Sequence, residues 1–260
     1  MKNEIKKIKA DYKSAKKEVR KAYKAAVNEA EKRRMQEMSD LAASLGEKPK
    51  INPPKRSLLE EIGNSITHGV GAIFAIVASI LMFIFFDRTL EYAGAAVYAF
   101  GSVVMFTMSC LYHAFRHGSA VKRLFRRFDY SSIYLLIGST FAPVLLAFFS
   151  DTFGLVFFGV QWAIIAFGIS FVGVFGPTRF RFIHIPLYVI LGWSALMLMP
   201  RMINGCLPMF LYILVGGVIY SLGIIPFVLK KRVSHFIWHF FVLAGAVVQW
   251  FGIFLYLYIQ

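Results

Sequence analysis

The chain has 260 residues, of which 58% are hydrophobic and 17% aromatic, and a formal net charge of +15. Ordinary soluble domains are about 45–50% apolar and about 25% charged; 17% charged residues and a mean hydropathy of +0.61 exclude that class. The charge is also unevenly spread, with 17 of the 29 Lys and Arg and 8 of the 14 acids in residues 1–58, so a basic leader precedes an integral membrane body.

Residues 1–56 read as a basic cytoplasmic helical extension ending in a linker. Ile5, Ile8, Tyr12, Ala15, Val19, Ala22 and Ala26 recur at a 3-4 spacing that aligns a weakly apolar stripe on a helix. Glu29 and Arg33 interrupt the stripe. A solvated helix drawn to anionic lipid head groups, at about 1 kcal/mol per basic residue near the surface, accounts for this pattern. A short coiled coil is the alternative, weakened by the alanines at its later seam positions. Residues 46–54, ending in Asn52-Pro53-Pro54, carry linker chemistry. Residues 2–34 lack the apolar core of a secretory signal.

Residues 57–260 are predicted to be an all-α membrane domain, a bundle of seven transmembrane helices. A membrane-spanning helix needs about 20 apolar residues, and the candidate stretches are 62–86, 92–113, 130–150, 153–175, 183–199, 206–229 and 234–259, the fifth being the shortest. Pro143, Pro186 and Pro226 lie inside three of them and predict kinks. The second, fourth and sixth loops carry Arg116, Lys122, Arg123, Arg126, Arg127, Arg179, Arg181, Lys230, Lys231 and Arg232. The other three hold only Arg88 and Arg201, beside Asp87, Glu91 and Asp151. By the positive-inside rule the N-terminus is cytoplasmic and the C-terminus outside. A multi-pass protein of the cell (plasma) membrane follows. Cys110 and Cys206 fall near opposite faces, so no disulfide joins them.

Polar side chains within spans are costly and mark function. In this topology they gather at one side, with His235 and His239 one helical turn apart, His113 and Ser109 on the second helix, Asp129 at the start of the third, and Glu60, Glu61, Asn64 and His68 on the first. Three imidazoles suit zinc, which in catalytic sites takes three protein ligands and leaves one position open. Asp129 could then handle a proton and Ser109 orient water or an oxyanion. Plainer roles exist for each member. Asp129 also suits an N-terminal cap, Ser109 a bond to its own helix, Asn64 and His68 an interhelical pair, and Cys110 simple packing. His117 and His184 stand alone in the sequence.

The segments EEIGNSITH (Glu60–His68), SCLYH (Ser109–His113) with Asp129, and HFIWH (His235–His239) together resemble the three motifs of the hemolysin III family. That family lies within the progestin and adipoQ receptor superfamily, which includes the adiponectin receptors. The resemblance covers about residues 57–260 and leaves the leader aside. It implies a seven-helix bundle with a cytoplasmic N-terminus, and zinc held by His113, His235 and His239. It puts Asp129 and Ser109 near the water on the metal, with Glu61, Asn64 and His68 in supporting hydrogen bonds.

The superfamily and the related alkaline ceramidases are associated with hydrolysis of lipid amides. The resemblance therefore implies a zinc-dependent, ceramidase-like hydrolase of a lipid amide or ester at the inner leaflet, serving membrane-lipid homeostasis, with membrane lipids as its partners. Two alternatives stand beside it: a cytolytic protein, as the family name suggests, and a non-catalytic sensor braced by structural zinc. Uniformly apolar helices do not suit a pore-forming peptide. Residues 130–229 and the last helix contain no lysine for a retinal Schiff base, and no nucleic-acid, dinucleotide or phosphate-loop motif is present. Protein partners are not indicated by any motif.

Overall fold

A computed structural model describes residues 2–44, 54–229, 231 and 233–259. The chain divides into two compact units, residues 1–52 and 53–260. Among its described residues the first unit is a single helix, α1 (Lys2–Ser44), whose described side chains are exposed. Glu29 and Arg33, which interrupt its apolar stripe, do not end it. They form an ion pair of 3.0 Å across one turn, in the Glu-before-Arg order that favours a helix. The predicted linker lies almost wholly outside the described residues.

The second unit is helical among its described residues: α2 (Leu58–Ile84), α3 (Thr89–Ala114), α4 (Ala120–Pro143), α5 (Thr152–Phe175), α6 (Arg181–Trp193), α7 (Met199–Leu229) and α8 (Ser234–Ile253). Six apolar helical runs are long enough to cross a membrane: Leu58–Ile84, Thr89–Ala114, Ala120–Phe148, Thr152–Phe175, Phe182–Leu229 and Ser234–Tyr258. With the match reported below, they make the chain a multi-pass membrane protein. The fifth run joins two predicted stretches. A 3-10 turn, Ser194–Leu198, carries α6 into α7, and the backbone leaves helical geometry at Cys206 (φ −158°, ψ 78°). The sixth stretch was expected to begin at this residue, and Pro208 beyond the break loses little by lacking an N–H in a first turn.

Small residues set the packing. α3 is the central strut, applied closely to both α2 and α4, while α7 and α8 form a second tight pair. Gly101 allows the approach of α3 to α4, because a β-carbon there would collide with the Ser139 side chain and the Leu135 carbonyl oxygen. Gly216 does the same for α7 against Gln249 on α8. In a membrane, where burial of apolar surface drives little helix association, such close contact supplies the attraction. Pro143 closes α4 and a π-helical turn, Val144–Phe148, follows it; the missing N–H forces a shift in hydrogen-bond register there.

One boundary corrects the sequence reading. The third span was expected to begin at residue 130, but α4 begins at Ala120, where the Ser119 hydroxyl accepts a bond from the Lys122 N–H at 3.0 Å. Asp129 therefore lies in the third turn and cannot cap the helix. Lys122 and Arg126, counted above as loop charges, sit inside α4 and are buried.

Contacts near the helix ends fall into two groups. At one end Arg127 donates to the Gly173 carbonyl at 2.9 Å, and the Val233 N–H donates to Glu60 at 2.6 Å. At the other, Asp151 pairs with Arg201 at 2.7 Å, and the Tyr258 hydroxyl donates to the Glu91 carbonyl at 2.8 Å.

Candidate metal centre

α2 opens with a capping box. The Glu60 N–H donates to the Ser57 hydroxyl at 3.3 Å, and Glu60 Oε2 accepts the Ser57 N–H at 3.0 Å. This fixes the first turn of α2 and with it two adjacent glutamates that reach in different directions. Glu60 Oε1 accepts the Val233 N–H at the entry to α8. Val233 has φ 57°, a left-handed conformation that is rare for a β-branched residue, so an outside acceptor helps to hold the turn that leads into His235.

Glu61 turns toward α3, where its Oε2 lies 2.6 Å from His113 Nδ1. A carboxylate only accepts, so Nδ1 carries the proton and the lone pair of Nε2 is free on the far side of the ring. Asn64 Nδ2 approaches the same Nδ1 at 3.3 Å; with Glu61 taking the proton, this is a contact and not a second donated bond.

The freed His113 Nε2 meets the histidines of α8. It lies 3.4 Å from His235 Nε2, which in turn lies 3.3 Å from His239 Nε2. Potential ligand atoms of the three residues all fall within 4.8 Å of one another, and the group can hold a metal ion. The spacing itself tests the fit. Tetrahedral zinc–nitrogen bonds of about 2.0–2.1 Å separate their donors by about 3.3–3.4 Å. A single proton could satisfy one pair of these nitrogens, whereas a cation satisfies all three. Both His113 and His239 are 2% exposed, which removes competing water.

His68 completes the aromatic floor. Its ring stacks on that of His239, with centroids 3.8 Å apart, and neither of its buried nitrogens has a hydrogen-bond partner. It is thus not paired with Asn64. Beside the triad is a cavity of about 140 Å³ whose polar wall includes His68, Ser109, Asp129, His235 and His239, and whose apolar wall includes Ile133, Tyr188 and Phe227. Ser109 and Asp129 face the same cavity from two different helices. Cys110 points away from the histidines, its Sγ 3.4 Å from Ser65 Oγ on α2.

Two residues escaped the sequence reading. Lys122 Nζ lies 3.0 Å from the second oxygen of Glu61. The signal was available, since Lys122, Arg126, Asp129 and Ile133 follow a 4-3-4 spacing that continues one helical face; the charges masked it as a loop. His184 does not stand alone: it is 1% exposed, and its Nδ1 is 3.0 Å from the Tyr134 hydroxyl. No spacing joins two residues on different helices, so sequence offered no cue.

Comparison with known proteins agrees with this arrangement. Residues 56–250 match the family described as Haemolysin-III related. Among curated relatives, Hemolysin-3 of Bacillus cereus is 34% identical over 202 residues, covering 76% of this chain and 91% of the relative. A Hemolysin-3 homolog of Bacillus subtilis (strain 168) is 29% identical over 207 residues, with 77% and 95% covered. Monocyte to macrophage differentiation factor of Homo sapiens is 27% identical over 217 residues, with 78% and 87% covered. A match over three quarters of the sequence, carrying all three histidines of the centre, establishes that this chain belongs to the haemolysin-III related family of membrane proteins.

Proposed function

We propose that the chain is a zinc-dependent hydrolase of a lipid amide or ester, working at the inner leaflet of the plasma membrane in the maintenance of its lipids. The observation that carries the reading is the convergence of three imidazoles, with His235 Nε2 at zinc-ligand spacing from both of the others and all three within 4.8 Å, beside a cavity that also presents Asp129 and Ser109. Zinc, when bound, supplies a Lewis acid able to lower the pKa of water from 15.7 to about 7.

The remaining roles belong to the chain. His113, His235 and His239 hold the ion, and Glu61 fixes the tautomer of His113. Asp129 accepts a proton from the attacking water and returns it to the leaving amine or alcohol, a general base then acid. Ser109 offers its hydroxyl to developing negative charge. The cavity of about 140 Å³, with its apolar wall of Ile133, Tyr188 and Phe227, receives the reacting end of the lipid.

Seven crossings with a cytoplasmic N-terminus complete the reading. The α6 run through residue 205 is the fifth crossing, Cys206 the reversal, and the remainder of α7 the sixth. Loop charges support this direction. The basic leader meets anionic head groups.

Detergent-purified protein loaded with zinc is expected to release fatty acid from a lipid amide, with His235→Ala inactive. Turnover that persists in a verified zinc-free variant rejects the mechanism. The name of the Bacillus cereus relative favours a second reading, membrane lysis. Dye release from liposomes that survives metal removal would support lysis, whereas chelation that lowers only thermal stability would mark the ion as a brace.

A further inference from the structure

Lys122 is 0% exposed. A lysine near the end of a membrane helix ordinarily extends its long stem toward the aqueous interface. This one, in the first turn of α4, runs inward. Its ammonium is 3.0 Å from Glu61 Oε1 and donates to the Phe115 carbonyl at 3.1 Å and the His113 carbonyl at 3.5 Å. Two of its protons serve these carbonyls, its charge pairs with Glu61, and it lies 4.9 Å from the centre of the Tyr112 ring. The two carbonyls end α3, where a cation is favoured by the helix dipole.

Helix capping alone does not explain the arrangement. A buried ion pair stabilises a fold weakly compared with apolar side chains of similar volume, because both charges lose water. The gain here is geometric. Glu61 is engaged at both oxygens, Oε2 by His113 Nδ1 at hydrogen-bond distance and Oε1 by the charge of Lys122, which restrains the rotation of the carboxylate behind the imidazole. We infer that Lys122 is a positioning residue for the metal centre, acting through Glu61 to fix the ring of His113. The inference rests on the metal-binding reading above and adds to it a residue on α4, a helix that contributes no metal ligand.

The test uses the full chain in detergent, with zinc affinity measured by competition against a chromophoric chelator and the cobalt-substituted protein examined by visible absorption. Lys122→Met is expected to weaken zinc binding about 10–100-fold, the usual effect of losing a partner behind a metal ligand, and to alter the cobalt bands. Lys122→Arg, which keeps the charge, is expected to recover most of the affinity. In Glu61→Gln/Lys122→Met the loss should not exceed that of Glu61→Gln alone, since one relay cannot be cut twice.

Lower thermal stability with parental affinity and parental cobalt bands, or losses that simply add, would overturn the inference and leave Lys122 a helix cap. Should Lys122→Met not fold, Lys122→Gln carries the same expectation and the same refutation. A parent protein that binds neither metal overturns the inference together with the reading beneath it, whereas a parent that binds beside an unaffected Lys122→Met overturns the inference alone.

Discussion

Glu61 and Glu91 are both carboxylates placed early in a membrane helix beside a cation, and the two are used in opposite ways. Glu91 is satisfied by its immediate neighbours: its oxygens accept the N–H groups of Asp87 and Arg88 at 2.9 and 3.2 Å and the Arg88 guanidinium at 2.6 Å. Every partner is within four residues, and the result is a capped helix. Glu61 bonds to residues 52 and 61 positions away in sequence, on α3 and α4. Such a group leaves its own turn unserved in order to orient an imidazole. A carboxylate closed on its own turn is architecture, and one that crosses to a histidine on another helix is part of a site.

Substitutions can break or sharpen that contrast. His113→Ala or His239→Ala should bring bound metal to background in elemental analysis of purified protein; retention of one equivalent would show that the triad is not the centre. Glu61→Gln keeps the shape but lowers the charge behind His113, and should weaken metal binding about 10–100-fold in chelator competition. Gly101→Ala forces α3 from α4 and should cost about 1–3 kcal/mol of stability in thermal unfolding, as overpacking does elsewhere.

Glu91→Gln should behave as the loss of a cap, about 0.5–2 kcal/mol, with parental metal affinity. A change in affinity there would erase the distinction between the two glutamates. Asp151→Asn should have the smallest effect. The Gly154 N–H and then the Arg201 guanidinium hold the Asp151 carboxyl below its ordinary value. Its contribution is therefore present above the unfolded pKa of about 3.9 and disappears as pH falls through the lower folded value. Parent and variant melting temperatures should differ slightly at neutral pH, less in high salt, and converge in acid.

Much of the fold was written in the apolar runs, because twenty residues that avoid water must span or be buried. The cluster of three histidines was also legible, since His235 and His239 share one helical face and His113 belongs to a motif. The beginning of α4 was not. Charge at Lys122, Arg123, Arg126 and Arg127 resembles a loop until one sees that the first and third turn inward while the other two face out. The apolar run through Met199 hid the break at Cys206 in the opposite way, because residues between the two predicted stretches remain helical. Contacts such as that of Glu60 with the Val233 N–H depend on two helices meeting, information that no local pattern contains.

His113 and His235 are separated by 122 positions, which has a consequence for biogenesis. As the chain leaves the ribosome, α2, α3 and α4 can assemble the Glu61–His113–Lys122 half of the centre long before α8 is synthesised. That half offers one imidazole, too few to retain a metal against cellular chelators. If the three histidines hold a metal, a nascent chain stalled before Ser234 lacks two of its ligands.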